Sequence, residues 1–69
     1  MATVTKEKLK VLRARLDMSQ EDLAKKAGLS TRSIGLYEAD VRNLRNAKYP
    51  TLENIAKALG VSVDDIFLG

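Results

Sequence analysis

The chain has 69 residues, 45% of them hydrophobic, with a net charge of +3 and neither cysteine nor histidine. That length holds one domain with a small core, and the missing residue types remove disulfides, thiolate or imidazole metal sites and the usual general base. No apolar run approaches the ~18 residues of a membrane span. The basic N-terminus lacks the apolar stretch of a signal peptide, so a cytoplasmic protein without cofactor or metal is expected.

Taken in chain order, the first helix is predicted from about Thr5 to Leu16, with Thr5 as cap and Leu9, Leu12 and Leu16 on one face. Ser19 can accept a hydrogen bond from the Asp22 amide and open a second helix, in which Leu23, Ala24 and Ala27 form a small apolar stripe. Gly28 can take the left-handed conformation that ends it, Leu29 can enter the core, and Ser30 can cap a third helix from Thr31 to Glu38. A helix, a glycine turn and a second helix form the helix-turn-helix unit that lays its second helix in a DNA groove. Residues 39–50 hold no sustained period and are read as a loop with one helical turn near Val41 to Arg45. Thr51 is the predicted cap of a further helix with Leu52, Ile55, Ala56 and Leu59 on its apolar face, and Gly60 ends it. Ser62 then caps a short helix through Val63, Asp64, Asp65, Ile66 and Phe67, with the two acids favourable at its start. Nothing reads as a strand, so the fold class is all-α.

Charge is unevenly spread. The basic surplus lies in the first helix (Lys6, Lys8, Lys10, Arg13, Arg15) and in the middle loop (Arg42, Arg45, Lys48), while Asp64 and Asp65 make the C-terminal end acidic. Phosphate binding favours such polarity, although a small soluble domain can carry this surplus by chance. With about 100° per residue from Thr31, Ile34 and Tyr37 face the core, and Thr31, Arg32, Gly35 and Leu36 share the opposite face. Arg32 can donate two hydrogen bonds to guanine, Thr31 can bond a base edge or phosphate, and Leu36 can touch a thymine methyl. Gly35 would let DNA approach closely. The plain alternatives are a solvated or phosphate-bound arginine and an ordinary exposed leucine. Gln20, in the first turn of its helix, is either a phosphate ligand or a simple helix-start residue. The hydroxyls of Ser19 and Ser33 are further phosphate candidates.

The segments 9–13, 18–30, 33–38 and 50–67 together resemble the phage-repressor and Cro-like, or Xre-type, helix-turn-helix family over almost the whole chain. The resemblance implies a five-helix, lambda-repressor-like domain spanning residues 1–69, with its third helix in the major groove. It implies that Gln20 anchors a phosphate, that Thr31, Arg32 and Leu36 hold base-reading positions, and that Arg13 and Glu38 pair to join the first helix to the third. One departure stands out: the stretch from Glu38 to Pro50 is longer than the short turn most members have there. Its Arg42, Arg45 and Lys48 either reach flanking phosphates or belong to a solvated insertion.

The leading function is a sequence-specific transcriptional regulator of double-stranded DNA, a repressor of bacterial or phage origin, working as a homodimer because one small domain makes few base contacts. Ile66, Phe67 and Leu68 are the expected dimer interface; the plain alternative is packing of the last helix onto the core, the commoner fate for Ile66, which leaves Phe67 or Leu68 exposed. The alternative is an antitoxin or other module binding a partner protein through the same fold. An enzyme is disfavoured, since no catalytic constellation stands out.

Overall fold

In the computed structural model, which describes residues 6–69, five α-helices follow one another: α1 (Leu9–Arg15), α2 (Gln20–Ala27), α3 (Thr31–Ala39), α4 (Val41–Arg45) and α5 (Tyr49–Leu59). A single 3-10 turn, Val63–Asp65, closes the chain. The number of α-helices matches the family expectation, but it is made up differently. The last expected helix is only the 3-10 turn, and the helical turn expected near Val41 to Arg45 within the middle stretch is α4.

Local chemistry accounts for most boundaries. Ser19 and Asp22 form a reciprocal capping box at the start of α2, with hydrogen bonds of 3.0 and 3.1 Å. Ser30 caps α3 by accepting from the Ser33 amide at 3.1 Å. Asp40 ends α3 and caps α4, accepting from the Arg42 amide at 2.9 Å. The chain therefore pivots on one residue between these two helices.

Three helices end in one way. Gly28 and Gly60 adopt φ of 72°, and Asp17 adopts φ of 55°. In each case the left-handed residue donates three positions back, and the next residue donates five positions back: Met18 to Arg13, Leu29 to Ala24 and Val61 to Ala56. Met18 is buried, while Leu29 and Val61 pack against the core. Helix termination and core entry are thus one event in all three.

Several expected boundaries move. Thr5 lies outside the described residues, and α1 begins at Leu9 behind Lys8. It stops at Arg15, so Leu16 falls beyond the apolar stripe, 51% exposed, and Met18 fills the core position instead. Helix α5 starts at Tyr49, one turn earlier than a Thr51 cap allows, because proline fits the first helical turn where no amide partner is needed. Thr51 is then already helical. Ile66 leaves the 3-10 turn in an extended conformation and forms a parallel bridge with Glu7. The Glu7 amide donates to Asp65 O at 3.1 Å and the Phe67 amide to Glu7 O at 2.8 Å.

The core is made by Leu9 and Leu12 of α1, Leu23, Ala24 and Ala27 of α2, Ile34 of α3, Leu44 of α4, and Leu52, Ile55, Ala56 and Leu59 of α5, with Met18 and Ile66. Helix α2 is central and packs on both α3 and α5. Leu44 is only 2% exposed, so the long loop is anchored in the core rather than solvated.

Asp17 is the only described non-glycine residue with positive φ. Asp17→Gly should raise stability by about 0.5–1 kcal/mol, because glycine relieves a left-handed strain that outweighs its extra unfolded-state entropy. Urea unfolding of the two proteins checks this; a loss of stability would mean that the Asp17 conformation carries no strain.

Candidate nucleic-acid interface

Helix α3 presents two faces. Ile34 is fully buried, and Tyr37 packs against the core. Thr31 and Arg32 are exposed, and Leu36 is 49% exposed. Gly35 lies between them, and a Cβ built there meets no atom within 4 Å. Nothing in the domain's own packing requires glycine at that point, although a mid-helix glycine costs about 0.5–1 kcal/mol relative to alanine. Among the described residues, Arg32 forms no ion pair.

The opposite corner of α3 is held by charge. Arg13 Nε donates to Glu38 Oε2 at 2.8 Å and Arg13 Nη2 to Glu38 Oε1 at 3.0 Å. This fork-to-fork pair joins α1 to α3, with the two side chains only 15% and 8% exposed. Arg13 Nη1 also donates to Met18 O at 2.9 Å, and Gln20 Nε2 donates to Glu38 Oε1 at 3.0 Å. Burial alone would push the Glu38 carboxyl up. The hydrogen bonds from Arg13 and Gln20 and the charges of Arg13 and Lys10 outweigh it and hold Glu38 below the usual glutamate range. The same hydrogen bond raises Arg13, against the effect of its burial.

The candidate phosphate ligands are dispersed. Gln20 stands at the start of α2 with one N–H engaged by Glu38, leaving its other N–H and its oxygen. Ser19 Oγ is occupied as an acceptor by the Asp22 amide, and Ser33 Oγ lies 2.9 Å from Ser30 Oγ. Arg42 folds back on Asp40, Nη2 to Oδ2 at 2.9 Å, which lowers the Asp40 carboxyl and raises the arginine. Arg45 Nη1 donates to Leu68 O at 3.3 Å. Lys48 is exposed, just ahead of α5. Arg42, Arg45 and Lys48 therefore do not line one side of a single helical turn. Helix α4 ends at Arg45, and Arg45 itself turns toward the C-terminal segment.

The expected apolar patch at the C-terminal end is also revised. Ile66 is fully buried in the domain's own core and is withdrawn from any dimer interface. Phe67 and Leu68 are half-buried, and Leu68 packs on the core. Their neighbour Ile66 turned inward because the bridge to Glu7 sets the alternation of side chains at this point. The residues above also hold two contacts that the spacing did not announce: Gln20 to Glu38, and Asn43 Nδ2 to Leu36 O at 3.0 Å. Both join residues of different helices, and neither is visible in a local pattern.

Comparison with known proteins agrees with this arrangement. The helix-turn-helix family model HTH_3 matches residues 9–66, and the chain belongs to that family, of the phage-repressor type. It is similar to a protein named an uncharacterised HTH-type transcriptional regulator of Methanocaldococcus jannaschii, at 43% identity over 67 residues that cover 91% of each chain. No solved structure matches significantly. Among the described residues, no helix is long and apolar enough to cross a membrane.

Glu38→Ala should destabilise the domain by about 1–4 kcal/mol, since it strands the part-buried Arg13. The depressed Glu38 carboxyl also sets a pH dependence. In the window below its ordinary value of about 4.3 the unfolded chain binds the proton first. Stability should therefore be fully present above that value and fall as pH drops through the folded pKa. Urea unfolding between pH 7 and pH 3 should show a smaller loss for Glu38→Gln than for the unaltered protein; equal losses would show that the carboxylate contributes nothing to acid lability.

Proposed function

We propose that this protein is a sequence-specific DNA-binding transcriptional regulator that reads the major groove of double-stranded DNA with α3. The observation that carries the reading is the outward face of Thr31, Arg32, Gly35 and Leu36. Thr31, Arg32 and Leu36 are exposed and free of ion pairs among the described residues, and the glycine between them is not required by internal packing. A close-approaching partner supplies the reason for Gly35. Arg32 reads guanine, Leu36 packs on a thymine methyl, and Thr31 bonds a base edge or the backbone. Family membership supports the same docking, in which the first turn of α2, with Ser19 and Gln20, meets phosphates while α3 enters the groove. Ser33 flanks them.

Lys48 is the middle-segment cation best disposed toward phosphate, since Arg42 and Arg45 have partners within the domain. The regulator acts as a repressor, because occupying a site requires no contact beyond those of DNA binding. It works in the cytoplasm, where its target lies. It binds as a homodimer, since a domain of this size makes too few base contacts alone, and Phe67 is the residue of the C-terminal segment left to meet a second copy.

Arg32→Ala should cost about 1–3 kcal/mol of specific binding and relax preference at one base pair. Gln20→Ala should weaken binding to all sequences evenly. Titration against specific and random duplexes separates these, and equal losses for Arg32→Ala on both would make Arg32 a phosphate ligand. Lys48→Ala should reduce the log–log salt slope by about 1, and Arg45→Ala should leave it unchanged. Sedimentation on the selected duplex should find two chains per site; one chain per site would overturn the homodimer.

A further inference from the structure

We infer that α4 extends the reading surface, and that Asn43 is a base-reading residue at the outer edge of the site. This rests on the DNA-reading role of α3. Asn43 is exposed, and its Nδ2 donates to Leu36 O at 3.0 Å, a carbonyl that also accepts from the Asp40 amide at 3.2 Å. A carbonyl has two lone pairs, so both bonds are satisfied together. The contact places the Asn43 amide at the Leu36 flank of the α3 face, beside its C-terminal end. Its orientation is set by a bond to the reading helix itself rather than by solvent.

What remains on that amide is one N–H and the Oδ1 acceptor. A planar donor–acceptor pair is the combination that matches the N6 and N7 edge of adenine. The support beneath it is rigid in both directions. Leu44, the next residue, is buried at 2% exposure, and Asp40 fixes the start of α4 through the Arg42 amide. Around the helix, Asn43 and Arg45 lie about 160° apart. Arg45 turns to Leu68 O and the C-terminal segment, so Asn43 takes the side nearest α3. The stretch between α3 and α5 thus does two things. It inserts Leu44 into the core, and it brings a fixed amide alongside the reading face.

The test is selection of a bound motif from a randomised duplex library by the full chain, followed by affinity measurements on single-base variants of that motif. Asn43→Ala should lower discrimination at one outer position, adjacent to that affected by Leu36, about fivefold to a hundredfold, with other positions unchanged. Asn43→Arg should move the preference at that position toward G·C, a change that loss of the Leu36 brace alone would not produce. Circular dichroism of both variants shows whether they fold. A uniform loss with Asn43→Ala, together with an unmoved preference with Asn43→Arg, makes Asn43 a brace or a phosphate ligand and overturns the inference. If the unaltered protein selects no motif, the DNA-reading role of α3 fails and this inference falls with it. If a motif is selected and Arg32→Ala changes it while the Asn43 variants do not, α3 reads and α4 does not.

Discussion

The carboxylate of Glu38 is the point on which the arrangement of the first three helices depends. It accepts two hydrogen bonds from Arg13 of α1 and one from Gln20 of α2. A single part-buried anion on α3 therefore positions that helix against both neighbours at once. Apolar packing of Ile34 and Leu23 is strong but weakly directional, and would tolerate a small rotation of α3 about its axis. The planar guanidinium fork does not, since both of its donors must find both oxygens. The face carrying Thr31, Arg32 and Leu36 is aimed by an ion pair on the other side of the same helix. Gln20 belongs to this brace and to the candidate phosphate surface together, so backbone anchoring and helix orientation share one side chain.

Electrostatic balance follows a similar division. Arg13 neutralises Glu38 and Arg42 neutralises Asp40, so the acids at the C-terminal end of α3 are both paired within the domain. Arg32 and Lys48 are left with their charge directed to solvent. The net positive charge of the chain is modest, and exposed lysines on other elements, among them Lys10, Lys25, Lys26 and Lys57, are likewise without an ion pair among the described residues.

Much of this was legible in the sequence, and the reasons are physical. Ser19, Gly28, Ser30 and Gly60 mark helix ends because their side chains, or the lack of one, solve the problem of unpaired backbone groups locally. Leu52, Ile55, Ala56 and Leu59 announce a buried face through spacing alone. The failures share a cause as well. Asp17 takes a left-handed position that composition assigns to glycine, so the end of α1 and the exposure of Leu16 were hidden. Pro50 looks like a terminator but stands in the first turn of α5. The extended conformation of Ile66 involves pairing with Glu7 at the far end of the chain, which no local window contains. Arg13 and Glu38 look like surface charges in isolation; only likeness to a family made them a pair. Asn43 had no signal at all, since its partner is a main-chain oxygen.

The parallel bridge between Glu7 and Ile66 has a mechanical consequence. It pairs the beginning of the described chain with its end through two hydrogen bonds, at 3.1 and 2.8 Å. Because the paired segments run in the same direction, tension applied between the two ends slides one along the other. Both bonds then resist together instead of opening in turn, and Ile66 would have to leave the core before either helix at the chain's margins felt the load. A flexible attachment at either end would hang from this one clasp, and its pull would reach the reading helix last.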